Sequence, residues 1–133
     1  MRPRRRVDTN LAIQDNESGV WGGKHRWADR EHWTTISSCI DLDGVYGLSR
    51  GSLGAGKHRW SEVQQACSKY LRTAQYILSN RTMVLDPGLY GGDTHLLHGP
   101  MYAVAECQQH FPQLVRTRRP WKRWTNNASC IYA

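Results

Sequence analysis

The sequence predicts a small, mainly α-helical protein with a single domain, and three features lead to that prediction. The chain has 133 residues, which is the size of one typical domain and enough to bury a core. Apolar residues recur at helical spacing over residues 61–79. Glycine and proline residues divide much of the remaining chain into short segments, which favours short helices over a large sheet.

The clearest helix is predicted at 61–79. Ser61 and Gln64 form a capping box at its start, and Asn80 suits its end. The apolar residues of this segment share one helical face: Val63, Ala66, Cys67, Tyr70, Leu71, Ala74, Ile77 and Leu78. Because Cys67 lies on that face, we expect a buried core thiol rather than a reactive one.

The other predicted elements are shorter. A second helix is predicted at about 100–111, because proline suits a first helical turn and Pro112 follows the end of the segment. Short helices are also predicted at 9–17 and 27–38. Five glycines at about 44–56 predict a short hairpin or a loop.

Positive charge is concentrated at the two ends of the chain. The formal net charge is +7, with four arginines in residues 2–6 and five lysines and arginines in residues 116–123. Residues 7–115 hold nine lysines and arginines against all eleven acidic residues, so their formal charge is −2. We therefore predict a basic N-terminal arm at 1–7, a globular helical domain at 8–115 and a basic, tryptophan-rich C-terminal strap at 116–133.

Clustered cations of this kind are typical of a surface that binds an anionic polymer, such as peptidoglycan or nucleic acid, or neighbouring subunits of an assembly. In the C-terminal cluster, Trp121 and Trp124 alternate with the cations, which suits stacking on bases or sugars. Solvated tails that aid solubility, or a strap packed on its own domain, are the alternatives. The predicted polyanion-binding residues are Arg4, Arg5, Arg6, Arg116, Arg118, Arg119, Lys122 and Arg123.

Several classes of protein are not predicted. No apolar run reaches the roughly 20 residues that a membrane-spanning helix needs. No apolar stretch follows the N-terminal arginines, so we expect no secretory signal and a protein that stays intracellular or is carried in a particle. Four cysteines at long spacings are then expected to be reduced and buried. The chain has no phosphate-loop, dinucleotide or nucleophile-elbow pattern, and no cofactor is predicted.

A five-residue sequence occurs twice. Gly23-Lys24-His25-Arg26-Trp27 recurs as Gly56-Lys57-His58-Arg59-Trp60, with a period of 33 and no match in the flanking residues. Two copies are too few for a solenoid. A local turn that enters a helix explains the recurrence, and a binding motif used twice, with cations for phosphate and an indole for stacking, is the alternative.

Three short motifs occur in an order that resembles a known family. The first runs from Ala12 to Gly19 and ends in Glu-Ser-Gly, the second is Gly44 to Leu48, and the third is Trp121 to Tyr132. Together they resemble lysozyme-like domains of the soluble lytic transglycosylase and phage lysin type. The helix at 100–111 stands where such domains place a late core helix.

The resemblance implies a lysozyme-like helical fold and a peptidoglycan-cleaving enzyme, either a glycosidase or a lytic transglycosylase. It implies that Glu17 is the catalytic general acid, with a pKa raised by apolar neighbours. The substrate-binding residues would be Tyr46, Gly47, Trp121 and Trp124. The chain departs from the family after Leu48, where Ser49 and Arg50 replace an aromatic residue or methionine followed by glutamine. A second carboxylate is left open among Asp29, Glu31, Asp41 and Asp43.

A second hypothesis assigns no enzymatic activity to the chain. In it, the protein is a basic structural subunit of a large assembly, a virion or a ribonucleoprotein, anchored by its arginine-rich termini. The surroundings of Glu17 distinguish the two, because a general acid needs a cleft with apolar neighbours, whereas a subunit does not.

A metal site has the weakest sequence support. The candidate ligands occur as two pairs at i, i+3 spacing: His95, His98, Cys107 and His110. They are acceptable zinc ligands by type, but the gap between the pairs matches no strong zinc pattern. No metal is therefore predicted.

Overall fold

The computed structural model describes residues 2–21, 40–79 and 95–115. Within these residues the chain forms four helices and no strand. The helices are α1 (Pro3–Ile13), α2 (Ile40–Gly54), α3 (Trp60–Ser79) and α4 (His95–His110). The predicted mainly helical class is confirmed for this part of the chain. The predicted helix at 27–38 and the C-terminal strap lie outside the described residues.

The first helix begins earlier and ends earlier than the pattern at 9–17 predicts. It starts at Pro3, where the fixed φ of proline suits the first helical turn, and ends at Ile13. Most of the predicted arm, residues 1–7, therefore forms the first turns of α1. Val7 is fully buried, so these turns pack against the rest of the protein.

The predicted hairpin or loop at 44–56 is wrong, because α2 continues as a helix to Gly54. Its glycines recur at i, i+3, i+7 and i+10 and so share one side of the helix. That side lies against α1. A β-carbon on Gly51 would be 3.1 Å from a methyl carbon of Val7 and 3.3 Å from the carbonyl oxygen of Pro3. Close packing of α1 offsets the cost of about 1 kcal/mol that an interior glycine carries in a helix.

Substitution by alanine is expected to have opposite effects on stability at two glycines of α2. A β-carbon on Gly44 would lie 2.4 Å from the Trp21 ring. That ring is held by hydrogen bonds from its indole Nε1 to the carbonyl oxygen of Asn10 and from its backbone N–H to Asp41. Gly54 meets only Pro3 carbons, at 3.9 and 4.0 Å. We expect Gly44→Ala to cost about 2 kcal/mol in the free energy of unfolding and Gly54→Ala to be neutral or stabilising by up to about 1 kcal/mol.

Urea unfolding followed by far-UV circular dichroism measures both variants. Equal losses in the two would contradict the described packing of Trp21 on α2.

The core is built around the apolar face of α3. Tyr70 is fully buried on that face and lies 6.0 Å from the Trp21 ring, centroid to centroid. The predicted helix at 61–79 is thus confirmed within one residue. The other buried apolar side chains of the core come from all four helices and include Val7, Leu42, Val45, Leu48, Val63, Ala74, Ala103 and Phe111.

Cys67 and Cys107 are buried between α3 and α4 as free thiols. A hydrogen bond with Cys67, together with burial, raises the pKa of the Cys107 thiol. The prediction that Cys67 is a core residue is confirmed. None of the described helices is long and apolar enough to cross a membrane.

Candidate polyanion-binding surface

The N-terminal end of α1 carries a cluster of arginines. We call Arg2, Arg4, Arg5 and Arg6 the arginine end, and all four side chains are exposed. The first turn of α1 contains no acidic residue. Cations at a helix N-terminus oppose the helix dipole, so this placement gives the helix no electrostatic stabilisation.

The backbone beneath the arginine end is fixed by its contact with α2. The Cγ and Cδ atoms of Arg6 lie 3.4 Å from the position that a β-carbon on Gly47 would take. The Pro3 ring reaches Gly54 at the far end of α2. An arginine can bury its aliphatic stem in this way and keep its guanidinium in water. The guanidinium groups therefore extend from an anchored helix.

The loop between α2 and α3 follows directly after that contact. We call Gly56-Lys57-His58-Arg59 the KHR loop. Its residues Gly56, Lys57 and Arg59 have φ values of 66°, 63° and 53°, in the left-handed region. Ser52 fixes the loop, since its carbonyl oxygen accepts from the Lys57 N–H at 2.8 Å and its hydroxyl donates to the His58 carbonyl oxygen at 2.7 Å.

Asp8 joins α1 to the KHR loop. Its Oδ1 atom lies 2.9 Å from His58 Nε2 and accepts a hydrogen bond from Arg59 Nη1 at 3.0 Å. These bonds, that of His58 first, hold the pKa of Asp8 below its usual value. Arg59 also bonds Glu62 in the first turn of α3. Asp8 and Glu62 are thus both bonded by Arg59, and Asp8 also by His58, which is a cation only when it is protonated.

Trp60 shows how the second copy of the repeated sequence is used. It is the first residue of α3, so this copy is a turn that enters a helix. The Trp60 ring packs on Phe111 at a centroid distance of 4.7 Å and meets His110 edge-on at 6.4 Å. The indole is therefore part of the packing between α3 and the end of α4. The first copy, at 23–27, lies outside the described residues.

Glu17 lies in the turn that follows α1, and its side chain is exposed. The next two residues are buried. Ser18 Oγ donates to Asp15 Oδ2 at 2.7 Å. Gly19 has a φ of 76° and lies against the backbone of α3, where a β-carbon would be 2.5 Å from the carbonyl carbon of Lys69. The Glu-Ser-Gly sequence thus forms a turn that docks on α3 and leaves the carboxylate in solvent.

The structure describes two of the four predicted substrate-binding residues, Tyr46 and Gly47. Tyr46 is half-buried, and the Arg50 guanidinium carbon lies 4.4 Å from the centre of its ring. Gly47 is buried in the contact between α2 and α1. Trp121 and Trp124, like the cations of 116–123, lie outside the described residues.

The metal-ligand candidates do not converge in the described part of the chain. The His98 ring lies 4.3 Å from that of Tyr102, centroid to centroid. Cys107 faces Cys67, and His110 bonds Glu106. Within residues 2–21, 40–79 and 95–115, no three histidine, cysteine or acidic side chains are grouped as metal ligands. The side chain of His95 is outside the described set.

Sequence reasoning missed a buried polar cluster between α2 and α4. Glu106 is fully buried and accepts hydrogen bonds from Ser49 Oγ at 3.1 Å, Arg50 Nε at 3.2 Å and His110 Nε2 at 3.0 Å. Ser49 and Arg50 are the residues at which the chain departs from the lysozyme-like pattern. The sequence does carry one signal for this cluster, which is a glutamate, Glu106, that lies among apolar residues four positions before His110.

Glu106 is held as a carboxylate by its partners. Burial alone raises the pKa of its carboxyl group, but the hydrogen bonds and charges of His110 and Arg50 outweigh burial and lower the pKa to about 2. Ser49 and Arg50 on α2 both bond Glu106 on α4, so the cluster links the two helices.

Comparisons with protein-family models, with curated proteins and with solved structures found no match to this chain. The resemblance to lysozyme-like domains therefore stays a prediction.

Proposed function

We propose that the chain is a non-enzymatic subunit of a nucleoprotein assembly that binds nucleic acid phosphates through its arginine end. The observation that carries the proposal is the placement of four exposed arginines at the end of a helix that is anchored on α2. The cluster at 116–123 supplies a second set of cations to the same polymer.

Phosphate is the anion that this arrangement suits best. A guanidinium presents several N–H groups in a plane that matches phosphate oxygens, and arginine stays charged at every physiological pH. A polymer with a regular series of phosphates engages several such groups at once. Because residues 7–115 carry a formal charge of −2, the attraction is directed to the basic ends rather than spread over the domain.

The position of the arginines is unfavourable for the start of α1. Their positive charge opposes the helix dipole, although the stem of Arg6 packs against α2 and Arg4 and Arg5 lie at ion-pair spacing from Asp8. A sequence selected for stability alone would place acidic residues in this turn. Four arginines at this position are therefore better explained by an external anion.

Fluorescence anisotropy with a labelled 20-nucleotide single strand and the matching duplex tests the proposal. We expect both probes to bind at 50 mM salt, with little preference for sequence, and to be released as salt is raised. Absence of binding by the full chain at low salt would contradict the proposed function.

Peptidoglycan cleavage by Glu17 is the second candidate. The docked Ser18-Gly19 turn gives Glu17 a fixed position that a large polymer can reach, but the carboxylate is exposed rather than set among the apolar neighbours that a general acid needs. The reaction would need Glu17 to donate a proton to the glycosidic oxygen.

Clearing of purified peptidoglycan by the wild type and by Glu17→Gln at low salt tests this candidate. Clearing that disappears in the variant would establish Glu17 as the acid. Failure of both proteins to clear the substrate would exclude it.

A further inference from the structure

We infer that the KHR loop is the second phosphate-contacting element of the same surface, with Lys57 as its contact residue; this inference rests on the proposed function. The loop's ligand is the phosphodiester backbone of the strand that the arginine end binds. The inference is carried by the position of the loop, its conformation and its charge.

Two contacts place the KHR loop beside the arginine end. The Pro3 ring meets Gly54, two residues before the loop begins. On α1, Asp8 follows Arg4 by four residues and Arg5 by three, so these side chains neighbour one another on the helix surface. Asp8 in turn holds the loop through His58 and Arg59. The loop is therefore tied to α1 one turn from its exposed arginines.

The conformation of Lys57 has a cost that its fold does not explain. Its φ of 63° is a conformation that glycine adopts freely and that costs a side-chain-bearing residue stability. A glycine at position 57 would adopt this conformation without that cost. Lys57 is exposed, and its Nζ lies 6.0 Å from the Trp60 ring. A cation at a strained and exposed position, where glycine would be less strained, points to an external anion.

Asp8 and Glu62 offset part of the charge of this surface, since the four arginines, Lys57 and Arg59 give it six cations against two carboxylates. Asp8 is bonded by His58 and Arg59, and Glu62 is bonded by Arg59. Lys57 and the arginine end are exposed beside these pairs. The Trp60 ring packs on Phe111 and has Lys57 Nζ 6.0 Å from its centre, so in this copy of the repeated sequence the indole is engaged within the protein. Recognition at the loop is therefore of phosphates, without preference among bases.

The test compares three variants of the full chain by anisotropy with the 20-nucleotide single strand. Lys57→Gln removes the charge, and Lys57→Gly removes the charge and relieves the backbone strain. Arg72→Gln is the matched control, because Arg72 is exposed on α3 roughly 18 Å along the helix from Trp60. We expect both Lys57 variants to bind about five- to tenfold more weakly at 0.1 M salt and Arg72→Gln to bind as the wild type does.

Lys57→Gly also separates binding from folding, since it is expected to raise the unfolding midpoint while it weakens binding. Wild-type affinity in both Lys57 variants, with binding still lost on substitution of the arginine end, would overturn this inference and leave the proposed function standing. Failure of the wild type to bind would remove the proposed function itself.

Discussion

Replacement of Glu106 by alanine is expected to destabilise the fold by about 3 kcal/mol or more. The carboxylate is fully buried and accepts hydrogen bonds from Ser49, Arg50 and His110. Its removal leaves those donors without their acceptor and opens a cavity between α2 and α4. Loss of one partner from a buried charged cluster is far more costly than loss of an exposed pair.

Glu62→Ala is the matched control for this prediction. Glu62 is exposed and is bonded by Arg59 at the surface, so we expect little change in the unfolding midpoint. Urea unfolding followed by circular dichroism measures both variants. A similar midpoint for Glu106→Ala and Glu62→Ala would show that the buried cluster does not hold α2 to α4.

Acid titration is a second test of the stability that the Glu106 cluster contributes. The pKa of Glu106 is lowered to about 2, so folding favours the ionised form. Its stabilisation, up to about 3 kcal/mol, is present above the ordinary carboxyl pKa and is lost as the pH falls from about 4.5 towards 2. The wild type should therefore lose more stability over this range than Glu106→Gln does.

Substitution of three arginines is expected to have the largest effect on binding. Arg2, Arg4 and Arg5 are changed together to glutamine, and Arg6 is kept because its stem packs on Gly47. Loss of three phosphate contacts should weaken binding of the 20-nucleotide strand by about 100-fold at 0.1 M salt. The thermal midpoint should stay the same or rise, because the removed charges oppose the helix dipole.

Anisotropy and thermal unfolding on the same protein samples separate the two effects. A large fall in the thermal midpoint would show that the arginines serve the fold. Unchanged affinity in a folded triple variant would show that the polymer binds elsewhere. Arg72→Gln measures how much the affinity and the thermal midpoint change when one exposed cation outside the proposed surface is removed.

Much of the helical architecture could be predicted because its signals are local. The apolar face of α3 recurs at helical spacing, and the structure agrees to within one residue. In α2, the same local reasoning failed at 44–56, because isolated glycines favour turns. Their preference is overridden by α1, which packs against Gly51 from more than forty residues away in sequence.

The candidate surface was likewise predictable only in part. The positive charge of residues 2–6 is evident in the sequence, but its location on an anchored helix is not. The neighbouring KHR loop is joined to α1 through Asp8, fifty residues from His58. Glu106 and Arg50 are separated by fifty-six residues. Such pairings depend on helix packing, which periodicity and local composition do not specify.

The salt dependence of binding by the wild-type chain tests the central claim most directly. Affinity for the 20-nucleotide strand is measured from 50 to 300 mM salt and plotted as log affinity against log salt concentration. If Arg2, Arg4, Arg5 and Lys57 each contact a phosphate, the slope should be about −3 or steeper, at roughly −0.7 per contact on a single strand before the C-terminal cations add to it. A slope near zero, or no binding at 50 mM salt, would contradict the account.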